Sequence, residues 1–270
     1  MEATRGDSTE LQTDRPHPAR VYDYWLGGKD NFAADREQGD RMLKINPFIS
    51  DSVRANRAFL RRVVGRLVQE TGIRQFLDIG SGLPTQDNVH LVAQRIAPET
   101  RVVYVDNDPI VLAHGRALLQ GASQGRTEVV QGDLRDPDGI LGDPQVRGAL
   151  DFDRPMAVLI NAVLHFVGDD EDPAGIVARY RDAVVPGSHM LIAHASWDLH
   201  PPESVEAAKR EMQNVPFTTR FRSHEEILAL FEGLELLDPG LVQICGWHPD
   251  GPIPVEHRTT NLFGGLGRVP

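Results

Sequence analysis

FLDIGSGLP, residues Phe76 to Pro84, reads as a buried strand that breaks into a Gly-x-Gly turn and enters a helix. Glycine at such a turn lets a ligand approach the backbone where a side chain would block it, and the helix that follows presents free N–H groups. Alone, the pattern also describes an ordinary strand-to-helix connection. The sequence on either side decides between the two.

Downstream, short apolar runs alternate with helical segments. The runs are Gln75 to Ile79, Val102 to Val105, Glu128 to Val130, Ala157 to Ile160 and Met190 to Ala193. Between them lie Asp87 to Ile96, Pro109 to Leu119, a loop-rich stretch from Asp136 to Leu150, and Asp172 to Val184. This alternation predicts an α/β fold with a mostly parallel sheet covered on both faces. Asp108-Pro109 supplies an N-cap acceptor before a proline at the first helical position, and Ser223 to Glu226 forms a capping box opening a helix that ends near Phe231. Leu234 to Leu237, Leu241 to Trp247 and Thr259 to Val269 read as closing antiparallel strands.

The strand ends carry the chemistry. VVYVDNDP closes the second strand with Asp106 and Asn107, an acid where this architecture holds ribose hydroxyls. The third glycine of the dinucleotide fingerprint is replaced by Thr85, which argues for a nucleoside ligand over a dinucleotide with its pyrophosphate. Asp133 and Leu134 follow the third strand, and Asn161 and Ala162 begin the stretch after the fourth. In an open α/β sheet ligands bind outside the carboxyl ends of the strands, so these positions converge on one crevice.

Upstream, residues 1 to about 19 are polar and aperiodic, and are expected to form a flexible arm. Ala33 to Ile45 and Asp51 to Gln69 are helical in pattern, separated at Asn46-Pro47, and make a helical cap over residues 20–70. The core is expected over 71–270, with a helical insertion near 197–216. The chain carries 28 Lys and Arg against 39 Asp and Glu, a formal net charge of -11, which disfavours a nucleic-acid partner. The single cysteine, Cys245, excludes an intramolecular disulfide, and His200, His248 and His257 lack metal-ligand spacing, so no metal is expected. No apolar window suggests a signal peptide or a membrane span, and a cytoplasmic location is the expectation.

These motifs resemble motifs I to IV of class I S-adenosylmethionine-dependent methyltransferases. The run ARVYDYWLGGKDNFAADR, Ala19 to Arg36, resembles the signature of one bacterial branch long treated as a family of unknown function, and the likeness extends from about Arg15 to the closing GGLGRVP. The resemblance implies a Rossmann-like sheet, mostly parallel with its last strand antiparallel, and S-adenosyl-L-methionine as cofactor, with S-adenosyl-L-homocysteine as product. It implies that Gly80, Ser81 and Gly82 lie under the methionine and ribose, that Asp106 and its neighbour Asn107 hold the ribose, and that Asp133 and Leu134 meet the adenine. It further implies Asn161 and Ala162 near the transferred methyl, with Arg20, Tyr22 and Asn31 as a cover over the cofactor.

Methyl transfer from a sulfonium is an in-line displacement that needs positioning and water exclusion and no covalent intermediate. Tyr22, Tyr24, Trp25 and Phe166 are candidate aromatic faces for the sulfonium. His165 and His194 are candidate bases for a hydroxyl or amine acceptor. The Asn/Asp-Pro-Pro-aromatic pattern of amine methylation is absent. The readings open at this stage are a methyltransferase of a small molecule, a non-catalytic S-adenosylmethionine sensor, and a nicotinamide-dependent oxidoreductase.

Overall fold

The computed structural model describes residues 12–84, 87–119, 125–200, 202–213, 215, 217–253 and 260–270. Thr85, Pro216, His257, Thr259 and residues 1–11 lie outside the described residues, with the expectations attached to them.

The sheet is built from β1 (Gln75–Ile79), β2 (Arg101–Asp106), β3 (Thr127–Gln131), β4 (Ala157–Asn161), β5 (His189–Ala195), β6 (Glu235–Leu236), β7 (Val242–Gln243) and β8 (Leu262–Arg268). Its order is β3-β2-β1-β4-β5-β8-β6, with β7 also paired to β8. β1 through β5 run parallel and β8 runs antiparallel to β5, pairing Met190 with Gly267 and Ala195 with Leu262. The order reverses at β1, where the chain leaves for β2 on one side and later returns as β4 on the other. That reversal opens a crevice at the carboxyl ends of β1 and β4.

Ten helices cover this frame among the described residues. The leading three are α1 (Pro18–Leu26), α2 (Ala33–Ile45) and α3 (Ile49–Glu70), followed by α4 (Val89–Ile96) and α5 (Pro109–Leu119). α6 (Pro137–Gly142), α7 (Pro144–Ala149) and α8 (Pro173–Asp182) follow, then α9 (Pro202–Met212) and α10 (His224–Ala229). Each strand of the centre is buried on both faces, and successive residues split between two clusters. Phe76, Tyr104 and Leu159 join Phe59, Leu60 and Val63 of α3; Leu77, Val105 and Ile160 join Ile140, Val146, Ile176 and Tyr180 of α6 to α8. Each such side chain contributes roughly 1.5–3 kcal/mol on burial.

The expected stretch of loop at 136–150 is two short helices. Asp136-Pro137 and Asp143-Pro144 repeat the Asp-Pro start of α5: Asp136 accepts from Gly139 N at 3.0 Å and Asp143 from Gln145 N at 2.7 Å. The same chemistry signals all three starts, and the brevity of α6 and α7 hides the periodicity. The capping box holds, Ser223 Oγ accepting from Glu226 N at 3.1 Å and Glu226 Oε2 from Ser223 N at 2.7 Å. The arm also needs correction from residue 12 onward. α1 begins at Pro18, and His17 N donates to the buried Asp35 carboxylate at 2.9 Å, tying the segment before α1 to α2.

Candidate active site

β1 ends at Ile79, and Gly80 N continues its ladder to Val105 O at 2.8 Å before the chain turns away. Gly80 has φ +70°, and a Cβ there would lie 2.5 Å from Val163 Cγ2. Gly82 has φ +67°, yet a Cβ there would meet nothing within 4 Å. The first glycine is demanded by packing and the second by backbone conformation, with open space beyond it.

That space is a cavity of about 610 Å³, lined by Gly80, Ser81 and Gly82 and by the ends of three further strands. Asp106, closing β2, is buried and accepts from Gly82 N at 2.8 Å and Asp108 N at 3.0 Å. Burial raises its pKa against the lowering effect of those two amides. Asn107 donates to Asp133 Oδ2 at 3.0 Å. Asp133 is pushed up by burial, but the Arg135 amide, Asn107 and the Arg135 guanidinium together hold it below the usual carboxylate range. Arg135 also reaches Glu171 and Phe166 O, both at 2.6 Å. At the end of β4, Asn161 Oδ1 is buried without a hydrogen-bond partner, and Ala162 holds φ +58°, a left-handed conformation costing a non-glycine residue roughly 1–2 kcal/mol. Gly80 to Gly82, Asp106, Asn107, Asp133, Leu134, Asn161, Ala162, Tyr22 and His165 all face the same cavity.

Arg20 and Asn31 do not line it. Arg20 is buried, with Nε 3.1 Å from Asp108 Oδ2 and a guanidinium nitrogen 3.7 Å from Asp35, so it clamps α1 to the start of α5. Asn31 donates to Asp23 Oδ2 at 2.9 Å and to Gly28 O at 3.0 Å. A Cβ on Gly28 would fall onto the Asp23 carboxylate. Arg20, Gly28 and Asn31 of the N-terminal signature therefore hold its own fold, while Ala19, Val21, Tyr22, Asp23, Trp25 and Leu26 line the cavity; the Tyr22 hydroxyl donates to Val53 O at 3.1 Å and accepts from Asn56. Of the other aromatic candidates, Trp25 and Phe166 line the cavity, while Tyr24 points to Asp40 at 2.6 Å.

The two candidate bases separate. His194 is fully buried off the cavity: its Nδ1–H donates to Ala195 O at 2.7 Å and its Nε2 accepts from Arg222 at 2.9 Å. Burial first, and Arg222 in addition, push it down to about 4, the Ala195 carbonyl opposing. Both nitrogens are in use, so His194 is a structural histidine. His165 lines the cavity with its Nδ1 unpartnered. Burial, then His194 and Arg222, hold its pKa well below the usual 6.5.

Asp78 is the group that the sequence reading passed over. It faces the cavity from within β1, and burial raises its carboxyl to about 7, with Arg57 lowering it and Asp106 raising it. A carboxylate among the buried apolar residues Phe76, Leu77 and Ile79 is expensive unless it serves something, and FLDIG displays that signal. Arg57 of α3 also faces the cavity, and its sequence carries no comparable signal: Arg54, Arg57 and Arg61 stand at near-helical spacing, a pattern that ordinarily marks a solvated helix face. No group of three or more His, Cys, Asp or Glu residues is arranged to hold a metal among the described residues, and none of their helices is long and apolar enough to cross a membrane.

No curated protein is similar enough to the chain to match it. A DUF574 family protein from Streptomyces avermitilis is 43% identical, with a TM-score of 0.92 over 96% of this chain and 100% of that one. A Thermobifida fusca protein, described as a candidate methyltransferase, is 41% identical with a TM-score of 0.89 over 98% and 99%. An O-methyltransferase family protein from Burkholderia thailandensis shares the fold at 16% identity, with a TM-score of 0.54 over 92% of this chain and 70% of that one. The profile of the S-adenosyl methyltransferase family matches residues 4–270. This chain belongs to that family and is a methyltransferase dependent on S-adenosyl-L-methionine.

Proposed function

We propose that the protein transfers a methyl group in line to a small-molecule acceptor held in the cavity beneath α1 to α3. The observation that carries this reading is the convergence of Gly82, Asp106, Asp133 and Asn161 on one cavity at the switch point of the sheet. The residues fit the cofactor: open space beyond Gly82 admits its backbone approach, and the buried Asn161 Oδ1 lacks a partner that a bound polar group would supply. In this reading Gly80 to Gly82 support the methionine and ribose, Asp106 with Asn107 the ribose hydroxyls, and Asp133 with Leu134 the adenine. Asn161 and Ala162 form the lip nearest the reacting centre, with Tyr22 as an aromatic cover. Residues 20–70 act as a cap on the core at 71–270, and the segment at 197–216 completes the acceptor side.

When bound, the cofactor supplies an electrophilic methyl on a sulfonium. The chain's own task is to hold the acceptor opposite the departing sulfur, exclude water and take up the acceptor's proton. His165 stays unprotonated through the neutral range and can accept that proton, although its low basicity limits the gain. The net charge of -11 works against a nucleic-acid acceptor.

The test is twofold. Calorimetry with S-adenosyl-L-homocysteine should give a stoichiometric heat; no heat removes the reading. His165→Gln should lower kcat roughly tenfold to a hundredfold with little change in Tm, while His194→Gln should lower Tm. Equal behaviour of the two variants would remove the base assignment.

A further inference from the structure

We infer that the acceptor is an uncharged, flat aromatic molecule carrying a hydroxyl that receives the methyl and at least one further hydroxyl or carbonyl oxygen. This inference rests on the reading of the cavity as a methyl-transfer site.

The cavity has two chemically different halves. Its carboxylates and guanidinia come from the strand ends (Asp78, Asp106, Asp133, Arg135), from α3 (Arg57), and from α1 and the segment before it (Asp23, Arg15). By contrast, the lining side chains from α2 and from residues 197–221 include no Lys, Arg, Asp or Glu among the described residues. His200, the titratable group there, has its pKa lowered by burial. Taking a charged acceptor into such surroundings leaves it uncompensated.

What this half offers is ring surface. Trp197 and Phe221 have centroids 4.4 Å apart, Phe166 and Phe217 stand edge to face at 5.7 Å, and His165 lies 4.3 Å from Phe166. Trp25 and Met42 add further apolar surface. Flat rings stack on such faces at little entropic cost.

Polar atoms that the protein leaves unsatisfied line the same cavity. Gln38 Nε2 and Ser52 Oγ belong to side chains only 2% exposed, and neither atom has a hydrogen-bond partner. Thr219 Oγ1 and His165 Nδ1 are likewise buried and unpartnered, and all four residues line the cavity. A buried polar atom without a partner is costly, and four around one cavity indicate that a ligand completes them. The Gln38 amide can only donate through Nε2, while the two hydroxyls can donate or accept. An acceptor bearing several neutral oxygens satisfies this set, whereas a hydrocarbon or a single amine does not. In the transfer, an oxygen lone pair of the acceptor forms the new C–O bond and the C–S bonding pair leaves with sulfur. The hydroxyl proton passes to His165 or to solvent.

The probes are three naphthalenes of like shape: a naphthalenediol, naphthoate and naphthylmethylammonium. Each is titrated calorimetrically into the full chain saturated with S-adenosyl-L-homocysteine. The diol should bind, with the two charged analogues at least about tenfold weaker. Ser52→Ala and Thr219→Val should each weaken the diol roughly threefold to tenfold while leaving Tm unchanged or raised, because each deletes an unsatisfied hydroxyl. A structural hydroxyl would behave in the opposite way, with Tm falling and binding unmoved, and that result overturns the inference. So does equal or tighter binding of a charged analogue, or a cofactor-loaded protein that binds none of the three. If S-adenosyl-L-homocysteine itself gives no heat, the underlying methyl-transfer reading fails instead.

Discussion

The two loop glycines respond to alanine for different reasons, and the difference can be measured. Gly80→Ala places a non-glycine residue at φ +70° and pushes a methyl to 2.5 Å from Val163 Cγ2. The left-handed conformation costs roughly 1–2 kcal/mol, and forcing a methyl into a packed site costs about 1–3 kcal/mol more. For a chain of this size, a total of about 2–5 kcal/mol lowers Tm by roughly 5–15 °C. Gly82→Ala has a comparable φ of +67° but no neighbour within 4 Å, so only the conformational cost of roughly 1–2 kcal/mol applies. Its new methyl points into the space assigned to the cofactor and should weaken S-adenosyl-L-homocysteine at least about tenfold, or ~1.4 kcal/mol. Because Val163 supplies the clash, Val163→Ala should rescue part of the Gly80→Ala loss, with a coupling of about 1 kcal/mol or more in a double-mutant cycle. Thermal unfolding of the four proteins of that cycle, with calorimetry on Gly82→Ala, settles it. Additive costs at Gly80 and Val163 would refute the packing argument. Unchanged ligand affinity in Gly82→Ala would refute the placement of the cofactor.

Other expectations follow from single groups. Asp106→Ala removes a carboxylate assigned to the ribose hydroxyls, whose charged hydrogen bonds are worth about 1.5–3 kcal/mol each; calorimetry should show at least a tenfold loss in S-adenosyl-L-homocysteine affinity, and unchanged affinity removes the ribose assignment. Arg20→Met strands Asp108 and Asp35 in a buried site and should cost roughly 3–5 kcal/mol by chemical denaturation; a loss under 1 kcal/mol would show that the clamp is dispensable. Asp78 gives a pH signature. Its folded value of about 7 lies above the ordinary 3.8, so the folded state keeps a proton that the unfolded chain gives up, and stability falls as pH rises from about 4 to about 7. A rise from 3.8 to about 7 corresponds to about 4 kcal/mol. His194, depressed to about 4, acts in the opposite sense, losing stability as pH falls from 6.5 towards 4. The Asp78 contribution is therefore read as a difference: Asp78→Asn without ligand should match the parent protein near pH 4 and exceed its stability at pH 8. Parallel curves would exclude a raised Asp78.

The alternation of strands and helices, the Gly-x-Gly turn and the acids that close β2 and follow β3 were legible along the chain, because periodicity and turn chemistry are local properties of the backbone. The same reasoning explains α5 and α10, whose caps lie within three residues of what they cap. It stopped where several local readings were equally good. Histidines at 165 and 194 sit at one edge of the sheet and look alike in sequence, yet one faces the cavity and the other is consumed by Ala195 and Arg222. Arg20 and Asn31 lie in the same signature as Tyr22, and only the packing of α1 on Asp108 and of the Gly28 turn on Asp23 turns them away from the cavity. The unsatisfied Gln38 and Ser52 lie on the consecutive helices α2 and α3, whereas Thr219 comes from a segment far along the chain. Sequence alone made most of the proposed donor half legible, Asp78 and Arg57 apart, since the strand ends that carry it are ordered by topology. The groups proposed to meet the acceptor emerged only from tertiary structure, because an unpartnered atom is defined by what surrounds it in space and not by its neighbours along the chain.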